Sequence, residues 1–80
     1  MTRETLYERL NAVFRDVFDD EEITVTDATT AADIPAWDSL THITLIAEVQ
    51  DEFGVEFSMK DVVALKNVGQ MADLIEREAE

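Results

Sequence analysis

Apolar side chains recur at helical spacing in separate stretches of this chain, divided by polar segments without a period. Leu6, Leu10, Val13, Phe14 and Val17 stand at i, i+4, i+7, i+8 and i+11, which predicts a first helix from Thr2 to Phe18. Thr2 is a capping type, and Glu4 suits the positive end of the helix dipole. A second helix is predicted to begin at Asp38 or Ser39 and to end near Gly54, a good residue for a left-handed terminus. Ser58 with Asp61 three positions on reads as a capping pair for a short helix over Met59 to Leu65. Asn67 with Gln70 opens the last helix, whose stripe is Val68, Met71, Ala72, Ile75 and Ala79. The pattern is all-α: a four-helix bundle with a long first loop and a short third helix.

That first loop, Asp19 to Trp37, is rich in Asp, Thr and Ala and begins with the acidic run Asp19-Asp20-Glu21-Glu22. Four acids sit poorly at a helix C-terminus, so the run belongs to the loop. Ile23, Val25 and Ile34 are apolar enough to tuck against the core. A connection this long in so small a domain is uncommon and usually has a job, such as positioning the next helix.

The second helix is apolar on two sides. At about 100° per residue, His42, Leu45, Ile46, Val49 and Phe53 share one face, a core stripe apart from the histidine. Leu40, Ile43 and Ala47 fall on the other side with Thr44 and Asp51. Either the short third helix or the long loop covers them, or they form an apolar strip for a partner, ringed by Glu48, Asp51 and Glu52. His42 reads as a hydrogen-bonding residue at the edge of the core, with Trp37 packed against it as a staple.

Composition narrows the choice of function. Eighty residues, 46% of them hydrophobic, make one domain spanning 1–80. There is no cysteine, so no disulfide, thiolate metal site or cysteine nucleophile is available. Nineteen acidic residues against six basic ones give a formal net charge of −13. Such a surface repels nucleic acid and anionic membranes and attracts basic protein surfaces. No apolar run approaches the roughly 20 residues of a membrane span, and the N-terminus has no signal-peptide core. The expectation is a cytoplasmic monomer that binds no metal and does not insert into membranes. The acidic run lacks the alternating oxygen ligands and central glycine of a calcium-binding helical loop. The start at Met1 and the end just after the last helix suggest a free-standing protein.

Asp38 and Ser39 are both N-cap types, and on local grounds they mark a helix start. A serine enzyme is not indicated, since no general base or oxyanion device accompanies Ser39. A covalently modified serine needs less: exposure, a rigid element, and a helix N-terminus that welcomes an anion.

Nearly the whole chain resembles the acyl carrier proteins, the phosphopantetheine-bearing family. The likeness is strongest through Pro35-Ala36-Trp37-Asp38-Ser39-Leu40 and Phe53-Gly54-Val55-Glu56-Phe57. The resemblance implies a 4′-phosphopantetheine, taken from coenzyme A and joined to Ser39 by a phosphodiester. Asp38 would support the modifying phosphopantetheinyl transferase at its metal-dependent site. Leu40, Ile43 and Ala47 would be the docking face, and Glu48, Asp51 and Glu52 would meet basic patches on acyl- or aminoacyl-loading and acyl-processing enzymes. The protein would not be catalytic; acyl groups would ride as thioesters on the arm, and the space between the helices would shelter an apolar chain. Trp37 ahead of the Asp-Ser-Leu run, Thr41 and Thr44 early in the second helix, and Lys60 and Lys66 in the third-helix region depart from the carriers of primary fatty acid synthesis. They suggest a specialised discrete carrier. The competing reading is a small acidic helical interaction module in which Asp38-Ser39 is only a cap.

Overall fold

A computed structural model describes residues 1–79. The helices are α1 (Arg3–Val17), α2 (Ser39–Phe53), α3 (Met59–Ala64) and α4 (Val68–Ala79), with one turn of 3-10 helix at Ala31–Asp33. The all-α bundle, the long first loop and the short third helix are as the periodicity predicts.

Each start is chemically defined. The Thr2 hydroxyl accepts from the Thr5 N–H at 3.1 Å, and Ser58 Oγ accepts from the Asp61 N–H at 3.1 Å. At α4, Asn67 Oδ1 accepts from the Gln70 N–H at 2.8 Å. The reciprocal bond goes elsewhere than the capping-box pattern expects: Gln70 Oε1 takes the N–H of Lys66, not that of Asn67. Gly54 ends α2 in the left-handed conformation, φ 64°, where a side chain would be strained.

Packing centres on α1, which lies against both α2 and α4. Leu6, Leu10 and Phe14 of α1, Leu45 and Val49 of α2, and Val68, Met71 and Ile75 of α4 are all sealed from solvent. The predicted α4 stripe holds except at its end, where Ala79 is exposed while Leu74 is buried. Ala79 stands in the last turn of α4, and Leu74 lies toward the α3 side, where it shares a cleft with Ala64 and Leu65.

The long loop is strapped down rather than free. Asn11 Oδ1 accepts from the Val25 N–H at 2.6 Å, and Arg15 Nε donates to the Ile23 carbonyl at 2.7 Å. Val25 and Ile34 are buried and Ile23 is half-buried. On the other side, the first two N–H groups of α4 donate to this loop: Val68 to Thr29 O at 2.8 Å, and Gly69 to Asp27 O at 3.1 Å. A Cβ on Gly69 would stand 2.8 Å from that Asp27 oxygen, so the close approach requires glycine. Arg3 adds ionic ties across the same seam, to Asp27 at 3.1 Å, Asp73 at 3.0 Å and Glu76. Tyr7 also donates to Asp27. Burial and that bond push the Tyr7 hydroxyl pKa up, while the bond from Tyr7, then Arg3, holds the Asp27 carboxyl below its usual range.

Candidate functional site

The strap delivers the chain to the start of α2 through a stack of aromatic rings. Trp37 meets Phe14 edge-on at 5.3 Å between centroids and lies nearly parallel to His42 at 6.0 Å. Its indole Nε1–H donates to His42 Nδ1 at 3.0 Å. With Nδ1 accepting, the imidazole proton is on Nε2, which faces the Val62 carbonyl of α3 at 3.4 Å. Trp37 and His42 therefore play the structural part read from the sequence, and His42 also links α2 to α3.

Asp38 is the N-cap and Ser39 the first helical residue, which resolves the two possible starts. Asp38 Oδ1 accepts from the Leu40 N–H at 2.9 Å and the Thr41 N–H at 3.0 Å. Thr41 Oγ1 completes the box by accepting from the Asp38 N–H at 2.7 Å and donating to the Ala36 carbonyl at 2.8 Å. The N–H of Thr41, above all, holds the Asp38 carboxyl below the usual carboxylate range. Its second oxygen, Oδ2, has no partner among the described residues.

Ser39 is exposed at this rigid corner. Neither its hydroxyl nor its backbone N–H is bonded among the described residues, although the next two N–H groups are taken by Asp38. A free hydroxyl, a free N–H and the positive end of a fifteen-residue helix suit an esterified phosphate. The chain thus fits the group that its family-like motif implies.

Ser39 opens onto a cleft of about 570 Å³ between α2 and α3. Trp37, His42 and Ile43 line one side, and Met59, Val62 and Val63 the other; Lys66 and Asn67 border it as well. The core face of α2 is as predicted, with Leu45, Ile46, Val49 and Phe53 buried and His42 half-buried. Of the two fates open to Leu40, Ile43 and Ala47, exposure holds: Leu40 is 76% and Ile43 67% exposed, and Ala47 is exposed too. Neither α3 nor the loop covers them.

The acidic residues read as a ring divide. Glu48 and Asp51 are exposed and free of ion pairs among the described residues. Glu52 turns to α1, where its carboxylate meets Arg9 Nε at 2.8 Å, and the same guanidinium lies over the Phe53 ring at 4.7 Å. Sequence reasoning missed two members of the apolar surface, Met59 and Val63 of α3, at 77% and 75% exposure. Their i, i+4 spacing on a helix too short to bury a stripe was the available signal. Among the described residues no group of His, Asp and Glu side chains could hold a metal ion, and no helix is long and apolar enough to cross a membrane.

Comparison with known proteins shows the family. The family described as the phosphopantetheine attachment site matches residues 8–75. Among solved structures, the holo acyl carrier protein from Geobacter metallireducens, determined by solution NMR, superposes with a TM-score of 0.84 at 42% sequence identity. The match covers 90% of this chain and 83% of that one. No curated protein sequence matches at a significant level.

Proposed function

The chain belongs to the phosphopantetheine-attachment family, it is an acyl carrier protein with a covalently attached phosphopantetheine, and we propose that the attachment point is Ser39. The observation that carries this assignment is the unbonded, exposed Ser39 hydroxyl at the head of α2, beside an unbonded backbone N–H. When bound, the arm supplies the thiol on which acyl groups are held as thioesters. The protein itself is a non-catalytic carrier, and phosphopantetheinyl transferase and biosynthetic enzymes are its partners.

The chain's own residues divide the work. Asp38 fixes the helix start with one carboxylate oxygen and leaves Oδ2 to meet a cation in the transferase site. Leu40, Ile43 and Ala47 form the apolar contact beside the arm, with Met59 and Val63 across the cleft. Glu48 and Asp51 are the free carboxylates for basic patches on loading and processing enzymes. Glu52, held by Arg9, contributes through its field rather than by direct pairing. We read the carrier as a monomer, since a net charge of −13 opposes self-association. The cytoplasm suits a cysteine-free chain that needs no oxidising compartment. The departures at Trp37, Thr41, Thr44, Lys60 and Lys66 favour service in a dedicated pathway. Trp37 and Thr41 have structural reasons of their own, the aromatic stack and the cap.

Incubation with coenzyme A and a promiscuous phosphopantetheinyl transferase tests the site. The intact mass of the wild type should rise by one phosphopantetheine, and Ser39→Ala should gain nothing. Because Asp38 rather than Ser39 is the N-cap, that variant keeps its fold. The chain has one other serine, Ser58; a label lost in Ser58→Ala and kept in Ser39→Ala would overturn the assignment.

A further inference from the structure

The six basic residues of this acidic chain are not equivalent. Arg3 is bound to Asp27, Asp73 and Glu76, Arg9 to Glu52, and Arg77 to Asp61 and Glu78. Arg15 donates to the Ile23 carbonyl and to Thr24. Lys60 and Lys66 are left: among the described residues neither side chain has an ion pair or a hydrogen bond, and both are exposed. Both uncommitted cations belong to the α3 region, Lys60 within the helix and Lys66 just beyond it, where Lys66 lines the cleft below Ser39. Lys60 stands three positions before Val63, so the two share the outward side of α3. The backbone under Lys66 is pinned by the bond from its N–H to Gln70 Oε1 at 2.8 Å.

On α2, Glu48 and Asp51 are exposed carboxylates without an ion pair among the described residues. The free carboxylates thus belong to α2 and the free cations to the α3 region, with Ile43, Met59 and Val63 lining the cleft between the two helices. A uniformly basic partner would satisfy one end and oppose the other.

We propose that the docking face of this carrier is two-signed, and that its loading or processing enzyme carries carboxylates opposite Lys60 and Lys66 as well as cations opposite Glu48 and Asp51. This rests on the reading of Ser39 as the attachment point. The face fits a different protein better than a second copy of this chain. Two copies could in principle match α2 of one with α3 of the other, but each brings a net charge of −13. Two lysines per copy do not offset that repulsion. The arrangement selects partners: an enzyme built for a carrier that is acidic throughout presents cations to α3 and is repelled there.

The test reverses the sign at α3. Holo wild type and holo Lys60→Glu/Lys66→Glu are prepared, and their mass is checked first. Failure to gain the arm at Ser39 in the wild type would overturn the attachment reading and the proposal with it, and the mass distinguishes that failure from a failure of docking alone. The probe is the enzyme that acylates the holo protein, purified by following transfer of a radiolabelled acyl or aminoacyl group onto the arm. Its kcat/KM should fall about fivefold or more in the variant at low salt, two exposed pairs being lost and replaced by repulsion. The gap should close at high salt, where the Debye length is about 3 Å. An unchanged or higher kcat/KM would overturn the proposal, because a basic partner surface gains from the added glutamates. So would sedimentation of the wild type as a dimer that the variant abolishes, since the face would then be occupied by a second copy.

Discussion

α3 and α4 are joined by a short link, yet they hold their places by opposite means. α4 has twelve residues and buries Val68, Gly69, Met71, Ala72, Leu74 and Ile75. Its first N–H groups are taken by the strap and by Asn67. α3 has six residues and buries none. Half-buried Val62 and Leu65, the His42–Val62 contact and the Asp61–Arg77 pair at 3.0 Å are what keep it in position. Helical order in proteins comes mostly from burying an apolar face, and a helix of six residues has little face to bury. The outcome is a firm side, α1, α2 and α4, and a loosely held flap at the cleft beside Ser39. An element next to a site that must admit partners can shift at small cost when few of its contacts are buried.

Core truncation gives the widest separation of the two. Ile75→Ala in α4 should destabilise the protein by about 2–5 kcal/mol in urea unfolding. Val63→Ala in α3 should change stability by no more than about 0.5 kcal/mol. Similar losses at both positions would erase the distinction.

The seam between α4 and the strap comes next. Glycine to alanine within a helix ordinarily gains about 1 kcal/mol. At Gly69 the new Cβ would stand 2.8 Å from a backbone oxygen, and overlap of that kind costs about 1–3 kcal/mol. Gly69→Ala should therefore lower the unfolding midpoint, whereas an ordinary helical glycine would raise it.

A smaller and more local effect is expected at the link from α2 to α3. His42→Phe keeps a ring against Trp37 but removes the acceptor for its indole and the donor to Val62. The loss should be about 1 kcal/mol, with faster amide hydrogen exchange in α3 and unchanged exchange in α4. Uniform acceleration across both helices would mean that α3 unfolds only with the whole bundle.

The finest test is one of pH. Asp27 joins the strap to Arg3 and Tyr7, and its folded pKa lies below the ordinary 3.8. The unfolded chain therefore takes up this proton at a higher pH than the folded one. The bonds stabilise fully above about pH 4 and fade as pH falls through the folded value. Asp27→Asn removes that contribution, so its deficit in urea midpoint should be largest at neutral pH and should shrink below about pH 4. A deficit constant with pH would assign the effect to packing instead of charge.

The stability of α4 was legible from its stripe, and that of α3 was not. Val68, Met71, Ala72 and Ile75 announce a buried face because their spacing repeats over several turns. Met59 and Val63 carry the same i, i+4 spacing, but a single repeat does not say whether anything lies opposite. At the site, Ser39 and Asp38 were legible as a helix start and a modification motif together. Which of them caps was not, since both residue types serve. The uncovered state of Leu40 and Ile43 stayed open for the same kind of reason: covering them depends on where α3 docks.

Helix periods, N-cap residues, the glycine turn at Gly54 and the serine at the head of α2 were decided locally, because each depends on residues no more than a few positions apart. The partition of charge was decided by the fold. Arg9 and Glu52 are 43 positions apart and Arg3 and Glu76 are 73 apart, and no local pattern pairs them. Once those long-range pairs form, Glu48, Asp51, Lys60 and Lys66 are among the charges left without a partner in the described residues, and Lys66 lines the cleft beside Ser39. Composition reports only their sum, whereas docking depends on which charges remain free and on which side of the cleft they stand.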